Sequence, residues 1–296
     1  MQPKPGTLYS YALANKIAGA YLGTANAAQI NANFNSNLGN AGCLDGTFFY
    51  LGLDSNHGAN IDFVVTLLHE MGHGIGFQTF TNGSTGAQNG GYLAIWDHFL
   101  YGSTAGKLWK DMTNAERQAS ALSIDKLAWT GAGVTIPSVR ITQADGVALL
   151  GQLAKRTRTS SGVVGAFNLV GSQYSGADPL GRMMMFAPNP YQSGSSVSHF
   201  DTSAFRNQLM EPAISGDLTQ SVLLPQDLTF KLLQDIGWKV PTNAGRAGML
   251  GLPGSKRQGV LSTLPFFHCR LLPPMLLVEF PRRRFHLGEY PCDSKH

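Results

Sequence analysis

The stretch LLHEMGHGIGF, residues 67–77, places two histidines four positions apart and a glutamate directly after the first of them. Positions i and i+4 share one face of an α-helix, so His69 and His73 can hold the same metal ion if this stretch is helical. Glu70 is rotated about 100° from His69 around such a helix. Its carboxylate can therefore reach a water molecule beside the metal without becoming a ligand.

The residues around this stretch predict an amphipathic helix that ends shortly after His73. Apolar residues recur at helical spacing along it, namely Phe63, Val64, Leu67, Leu68 and Met71. Asn60 is the expected N-cap, and Asp62 suits the positive end of the helix dipole. Gly74 and Gly76 are expected to end the helix, which lets the chain turn back toward the metal.

The chemistry of such a helix is hydrolytic if the metal is zinc. Zinc lowers the pKa of a bound water toward about 7 and so makes a strong nucleophile near neutral pH. Glu70 would accept the proton of that water and later deliver it to the departing amine. The alternative is a structural helix in which the histidines only pack, but the apolar opposite face favours a metal site. We therefore predict Zn²⁺ as the cofactor, with His69 and His73 as ligands and Glu70 as general base.

A catalytic zinc site normally has three protein ligands and one open position, so a third ligand is required. Many enzymes with an extended form of this motif carry a histidine three residues after the glycine that corresponds to Gly76, but here that position is Thr79. The other candidates are one glutamate and six histidines: Glu116, His57, His98, His199, His268, His286 and His296. Glu116 already has an expected partner, Thr113, in a capping box. Spacing alone leaves these candidates open.

Four pieces of the chain together resemble the leishmanolysin-type metzincins. In chain order they are HEMGHGIGF (69–77), SHFD (198–201), NQLMEPAI (207–214) and LTFKLLQDIGW (228–238). Proteases of that family have the same zinc helix, a third zinc histidine displaced by a long insertion, and a methionine turn beneath the metal. The resemblance, which covers residues 9–238, implies that His199 is the third zinc ligand and that Met210 is the methionine of this turn.

More narrowly, the chain is similar to secreted bacterial proteases that carry a protease-associated domain inside the catalytic domain. IPSVRITQADGVALLGQL (136–153) resembles the last strand and helix of that insertion, but only a few residues separate it from Trp129. Most of the insertion is therefore missing. We expect a catalytic domain at residues 1–240, in which residues 130–158 are a short remnant of the insertion. Residues 241–296 are expected to form an irregular, disordered C-terminal tail.

The expected fold is an α+β catalytic domain of the zincin or metzincin type, with a mixed sheet, the active-site helix and two lobes around a cleft. GTFFYLGL (46–53) is a predicted strand, and an extended peptide is expected to pair with its edge. RMMMFAP (182–188) is predicted to be a buried strand. A helix is predicted from the capping box at Thr113 through residue 129, and PQDLTFKLLQDIGW (225–238) is predicted to be a closing helix.

Composition and charge exclude several classes of function. Hydrophobic residues make up 43% of the 296 residues, enough for a core, whereas charged residues make up only 14%. The net charge of +4 belongs to the tail, because residues 245–296 hold eight Lys or Arg and three acidic residues, which leaves fourteen basic and fifteen acidic residues elsewhere. Nucleic-acid binding is therefore not expected. No apolar run reaches the ~18–20 residues that span a bilayer, so no membrane span is expected.

These observations predict a zinc-dependent endopeptidase that acts on protein or peptide substrates. Two alternatives remain: a zinc hydrolase of non-peptide amides, and a catalytically inactive binding or adhesion module derived from a protease. The low charge and the family resemblance imply a secreted, extracellular protein. The first ten residues, MQPKPGTLYS, contain no apolar signal-peptide core, so we expect the leader to be absent from this chain.

Overall fold

A computed structural model of the chain describes residues 3–23, 27–135, 176–204, 207–213, 221–223 and 227–239. These residues form a mixed α+β fold with few helices and small sheets, which confirms the α+β part of the expected fold class. Residues 136–158, which make up most of the expected insertion remnant, lie outside the described residues. The tail expected at 241–296 lies outside them as well.

Within the described residues, no α-helix is longer than twelve residues and no strand is longer than three. The α-helices are α1 (Tyr11–Ala18), α2 (Phe63–Gly74), α3 (Asn114–Ser120) and α4 (Thr229–Ile236). The strands are β1 (Thr7–Leu8), β2 (Phe49–Tyr50), β3 (Ile61–Asp62), β4 (Leu93–Ala94), β5 (Leu100–Gly102), β6 (Lys107–Leu108) and β7 (Leu127–Trp129). Short 3₁₀ helices cover Trp96–His98 and Trp109–Asp111. None of these helices is long and apolar enough to cross a membrane.

The strands form three small sheets rather than the single mixed sheet expected from the sequence. β1 pairs in parallel with β4, and β2 pairs in parallel with β3. β5 lies between β6 and β7 in an antiparallel sheet of three strands. The strand predicted at residues 46–53 is confirmed only at its centre, where Phe49 and Tyr50 pair with Ile61 and Asp62.

Strand β3 runs directly into the predicted helix that carries the two histidines. Asp62 is the N-cap of α2, because its carboxylate accepts hydrogen bonds from Val64 N at 2.8 Å and from Val65 N at 3.2 Å. The prediction of Asn60 as N-cap is wrong. Its side chain instead accepts a hydrogen bond from Phe48 N, which ties the loop before the helix to the residues that precede β2. The helix ends at the first of the two glycines that were expected to end it.

The C-terminal end of α2 is held in place by the first and last helices of the described chain. The Trp238 indole N–H, just after α4, donates a hydrogen bond to Ile75 O at 2.9 Å. Gly76 has a φ of +116°, and a Cβ atom there would lie 3.0 Å from the Oγ of Ser10, the N-cap of α1. A glycine is therefore required at this turn, for its backbone conformation and for the close approach of α1.

Aromatic side chains form the core directly behind the histidine pair. The ring of Phe77 packs against Trp96 with centroids 4.8 Å apart and against Phe200 at 5.0 Å. Trp96 in turn packs against Trp129 at 4.4 Å. All four side chains are fully buried. Edge-on and tilted aromatic contacts of this kind each contribute roughly 0.5–1.5 kcal/mol beyond the burial of area, so this cluster gives the site a rigid base.

The region after α2 differs from its predicted structure at one point. The capping box of Thr113 and Glu116 is confirmed, but α3 ends at Ser120 instead of continuing through residue 129. Asp125 adopts a φ of +56°, which turns the chain. The last three residues of the predicted helix then form β7, which is buried throughout and pairs with β5. The apolar residues at the end of the predicted helix thus form a buried strand instead.

Two predicted elements near the C-terminal end of the described chain are confirmed in outline. In the segment 182–188, Met184 bridges to Ala128 and Met185 bridges to Phe200, and both methionines are buried. The segment therefore pairs as an extended chain, although only through isolated bridges. The closing helix is present as α4, which begins four residues later than predicted, at Thr229.

Candidate metal centre

Three buried imidazoles meet at one point of the fold. The Nε2 atoms of His69 and His73, both on α2, lie 3.1 Å apart. The Nε2 atom of His199 lies 3.1 Å from that of His73 and 3.2 Å from that of His69. Each of the three residues is at most 7% exposed. This group could hold a metal ion, and it contains the three histidines singled out in the sequence.

The hydrogen bonds on the far side of each ring determine where the imidazole hydrogens lie. The Nδ1 atom of His69 is 2.7 Å from Leu209 O, that of His73 is 2.8 Å from Phe77 O, and that of His199 is 2.6 Å from Ser195 O. A carbonyl oxygen can only accept, so each Nδ1 carries the hydrogen and donates it. Each Nε2 atom then presents a lone pair toward the other two. The three Nε2 atoms therefore cannot form hydrogen bonds with one another, because none of them carries a hydrogen.

A small cation fits this arrangement of lone pairs. A tetrahedral zinc ion with bonds of about 2.0–2.1 Å to nitrogen places its ligand nitrogens about 3.3–3.4 Å apart. The three Nε2 atoms are separated by 3.1–3.2 Å, close to that spacing. Without a cation, three acceptor nitrogens would face one another in a buried site, which is unfavourable because none of them has a donor.

The environment keeps these histidines in the form that binds metal. Burial lowers the pKa of His69, and it lowers the pKa of His73 to about 3, with a further contribution from the neighbouring His69. Burial and then the two neighbouring histidines hold the pKa of His199 well below its usual value. All three side chains are therefore neutral at neutral pH, and neutral imidazole is the ligand form for metals.

Backbone pairing, rather than a helix, positions the third histidine. Phe186 N donates a hydrogen bond to His199 O at 3.0 Å. On the next residue, Phe200 N donates to Met210 O at 2.8 Å. His199 thus lies on a segment that is held by a different part of the chain on each side. Its place at the site depends on contacts between residues far apart in sequence.

Met210 lies directly against α2. Its side chain is fully buried, and a Cβ atom added at Gly72 would come within 2.6 Å of the Met210 sulfur. Gly72 belongs to the turn between His69 and His73, so the methionine packs against the helix where the two histidines project. A glycine at position 72 therefore allows this close approach.

Glu70 and the three histidines line one cavity of about 460 Å³. Burial raises the pKa of Glu70 to about 7. The remaining walls come mainly from residues 78–84 and 191–198, and their polar side chains are Gln78, Thr79, Thr81, Asn82, Ser84, Tyr191, Ser193, Ser195, Ser196 and Ser198. Residues 46–53, which were expected to pair with a peptide, do not line this cavity.

The other candidate ligands in the described residues have different partners. Glu116 binds the Thr113 backbone and the Lys107 ammonium, the latter at 2.6 Å. His98 Nε2 lies 3.1 Å from Thr7 Oγ1. The remaining described candidate, His57, lies 2.7 Å from the Asn60 carbonyl through its Nδ1. Of the candidates that the structure describes, only His199 joins the pair on α2.

A buried carboxylate that was not predicted from the sequence shapes the cavity wall. Asp97 is fully buried and accepts hydrogen bonds from the hydroxyls of Thr79 and Thr81, both at 2.6 Å. It also accepts one from Ala94 N at 3.1 Å. Thr79 occupies the position that holds a third histidine in extended motifs. In this chain it therefore anchors a loop through Asp97 instead. An aspartate within the otherwise apolar segment YLAIWDHFLYG was the available signal.

Comparisons of the chain with protein-family models, with curated proteins and with solved structures find no match. What the site can do is therefore inferred from the chemistry of its own residues. It combines three neutral imidazoles, a carboxyl group with a raised pKa and a cavity with many hydroxyl and amide groups. Such a combination can bind a cation, move a proton and hold a polar ligand.

Proposed function

We propose that this chain is a zinc-dependent endopeptidase with a metzincin-like catalytic domain. The observation that carries the proposal is the convergence of three Nε2 lone pairs in a cavity that Glu70 also lines. His69, His73 and His199 are the proposed zinc ligands, Glu70 is the proposed general base, and Met210 is the proposed methionine turn. The resemblance of four sequence pieces to leishmanolysin-type proteases supports the same assignment.

Zinc is the metal favoured by the donor set. Imidazole nitrogen suits zinc and other late transition metals, whereas magnesium and calcium prefer oxygen ligands. Among these, zinc commonly takes three protein ligands in a catalytic site and keeps a fourth position open. Three histidines without a carboxylate or thiolate ligand among the described residues agree with that pattern.

The proposed reaction divides the work between the metal and Glu70. A bound zinc ion supplies Lewis-acid chemistry, which makes water acidic near neutral pH and polarises a substrate carbonyl. Glu70 accepts a proton from the attacking water as the water oxygen bonds to the scissile carbonyl carbon. When the C–N bond breaks, Glu70 returns that proton to the departing amine and is regenerated as a carboxylate. A pKa of about 7, raised by burial, suits both transfers near neutral pH.

A peptide is favoured as substrate by the chemistry of the cavity walls. Hydroxyl and amide side chains from residues 78–84 and 191–198 lie on either side of the histidines. Such groups can pair with the N–H and C=O groups that an extended peptide presents along its length. A substrate bound in this way would be positioned by its backbone.

The test is a variant that removes the proposed base and leaves the proposed ligands intact. Glu70→Gln is expected to bind zinc as the wild type does and to lose about 10²–10⁴-fold in casein cleavage, because the amide cannot accept the proton. Wild-type cleavage should be blocked by phenanthroline. Undiminished turnover by Glu70→Gln would contradict the mechanism.

Two other outcomes would replace the proposed activity. Zinc binding with hydrolysis of small amides but not of casein would make the chain a zinc hydrolase of non-peptide amides. Zinc binding with no turnover of either substrate would instead indicate a binding module derived from a protease.

A further inference from the structure

Two buried side chains lock the methionine turn to the start of α4. Asp227 Oδ2 accepts a hydrogen bond from Leu209 N at 2.6 Å. In the opposite direction, Gln208 Oε1 accepts one from Leu228 N at 2.8 Å. Asp227 and Gln208 are each 3% exposed. The lock therefore joins two short segments by a reciprocal pair of bonds that water does not reach.

The same Leu209 backbone holds a proposed ligand. Its carbonyl accepts the hydrogen of His69 Nδ1 at 2.7 Å, which fixes the tautomer and the orientation of that ring. The backbone N–H of Leu209 thus donates to Asp227, and the carbonyl of the same residue accepts from His69. Because the carbonyl belongs to the backbone, no side-chain substitution can remove it. Asp227 is the side chain through which its position can be disturbed.

We propose that Asp227 is a positioning residue of the metal centre, which orients the His69 ring by fixing the backbone of Leu209. This inference rests on the proposed metal site and assigns a role to a residue that lies outside the cavity. Partners that orient metal-ligating histidines typically affect metal affinity by about 10–100-fold, so a residue that acts through such a partner should have an effect of roughly 10-fold.

Asp227 has a second contact that must be separated from the first. Its other carboxylate oxygen, Oδ1, accepts a hydrogen bond from Thr229 N at 2.7 Å in the first turn of α4. Asp227→Asn can keep this bond through its amide oxygen. Its amide nitrogen would then face the N–H of Leu209, and two donors cannot bond. The opposite orientation of the amide would keep the bond from Leu209 N and lose the one from Thr229 N. Asp227→Ser is therefore measured beside it, because serine can accept from Thr229 N but is too short to reach Leu209 as well.

The same helix offers a matched control. Asp235 accepts hydrogen bonds from two N–H donors, the Trp129 indole at 3.0 Å and Gly133 N at 2.8 Å. Both of its partners belong to the segment around β7, away from the methionine turn. Asp235→Asn should lower the stability of the fold through the same loss of one acceptor. Its zinc affinity should stay close to that of the wild type.

The experiment measures the zinc Kd of the wild type, Asp227→Asn, Asp227→Ser and Asp235→Asn by competition with a chromogenic chelator. Urea unfolding of the metal-free proteins measures stability in parallel. We expect the Asp227 variants that lose the bond from Leu209 N to bind zinc roughly 10-fold more weakly than Asp235→Asn at a similar loss of stability. The visible spectrum of the cobalt(II) form should also change in those Asp227 variants alone, because it reports the geometry of the ligands.

Equal zinc affinities and equal cobalt spectra for Asp235→Asn and both Asp227 variants would overturn the inference while leaving the metal site in place. A wild type that binds no zinc would overturn the proposed function and this inference together. Should Asp227→Asn fail to fold, Asp227→Ser takes its place. The same comparison of Kd with Asp235→Asn then decides.

Discussion

The candidate metal centre joins two regions of the chain that are built in different ways. Helix α2 supplies His69 and His73 through its own periodicity, with a cap at its first turn and no need of distant residues for their spacing. The region around His199 and Met210 has no regular element of its own in the described residues and is held by backbone bonds to remote segments. The helix is thus specified locally, and the loop region is specified by the whole fold.

The loop region also orients a histidine ring that the helix carries. Of the three carbonyls that orient the imidazoles, Ser195 O and Leu209 O come from the loop region, and only Phe77 O follows α2 directly. The ring of His69 is therefore placed by α2 but oriented by Leu209. Local structure brings His69 and His73 near one another, and a tertiary contact orients the ring of His69.

The largest expected effect comes from removing the ligand that the loop region contributes. His199→Ala should weaken zinc binding by more than the ~100-fold that loss of an outer partner costs, because a ligand itself is gone. Helix α2 should survive, since its spacing does not depend on His199. Zinc content by metal analysis and helicity by circular dichroism measure the two effects. His98→Ala is the matched control and should keep its zinc. Loss of zinc in His98→Ala but not in His199→Ala would instead identify His98 as the third ligand.

A second expected effect concerns acid and the metal-free protein. An unfolded His73 takes up a proton near pH 6.5, whereas the folded residue, with a pKa of about 3, does not until far lower pH. The unfolded state therefore binds more protons between these values, so the free energy of unfolding falls as the pH falls through this window. At pH 5 the loss from this one residue is about 2 kcal/mol.

Urea unfolding of the metal-free protein at pH 7 and pH 5 measures this loss. His98, whose pKa is also lowered by burial, contributes in the same direction. Glu70 contributes in the opposite direction, because burial raises its pKa to about 7 and the folded residue takes up a proton between pH 7 and pH 5. The comparison is therefore made in a His98→Gln, Glu70→Gln background, which removes both contributions. Saturating zinc should raise stability at pH 7 by mass action. In this background, an unfolding midpoint that does not fall between pH 7 and pH 5 would contradict the buried, neutral state of these rings.

A third expected effect lies at the contact between the two regions. Gly72→Ala should cost about 1–3 kcal/mol from overpacking against the Met210 sulfur, partly offset by the ~1 kcal/mol that alanine gains over glycine in a helix. In a Met210→Ala background the clash is absent, so the same substitution should become neutral or stabilising. Unfolding free energies of the four proteins in this cycle measure the coupling. Strict additivity would show that the close approach carries no energy.

The smallest expected effect is confined to the helix. Asp62→Ala removes the acceptor for Val64 N and Val65 N and should cost about 1 kcal/mol of stability. Zinc affinity should not change, because the cap lies two turns from the first histidine. Asp62→Asn should restore the stability, since asparagine caps helices equally well. A fall in zinc affinity comparable to that of His199→Ala would show that the two regions are not separable.

The difference between the regions also explains what the sequence could predict. The i,i+4 spacing, the apolar face and the terminating glycines are local signals, and they give α2 and its pair of histidines correctly. The N-cap of α2 was predicted two residues too early, at Asn60 instead of Asp62. Both residue types are good N-caps, and only the pairing of β2 with β3 decides between them. Here a tertiary contact overrides an equal local preference.

The third histidine could not be reached by such local signals. His199 is 126 residues from His73, and its segment is fixed by backbone bonds to Phe186 and Met210, which no local spacing pairs with it in advance. A family resemblance suggested it, and the geometry places its Nε2 beside the other two. Asp97 and Asp227 were missed for the same reason. Each is a single carboxylate whose partners are backbone or hydroxyl groups that a sequence does not pair in advance.

The bond from the Trp238 indole to the Ile75 carbonyl has a practical consequence. It ties the residues that follow α4 to the end of the histidine-bearing helix. A version truncated before Trp238 would leave the end of that helix without this bond. In a variant whose other three tryptophans are replaced by phenylalanine, the fluorescence of this indole should change when the bond breaks.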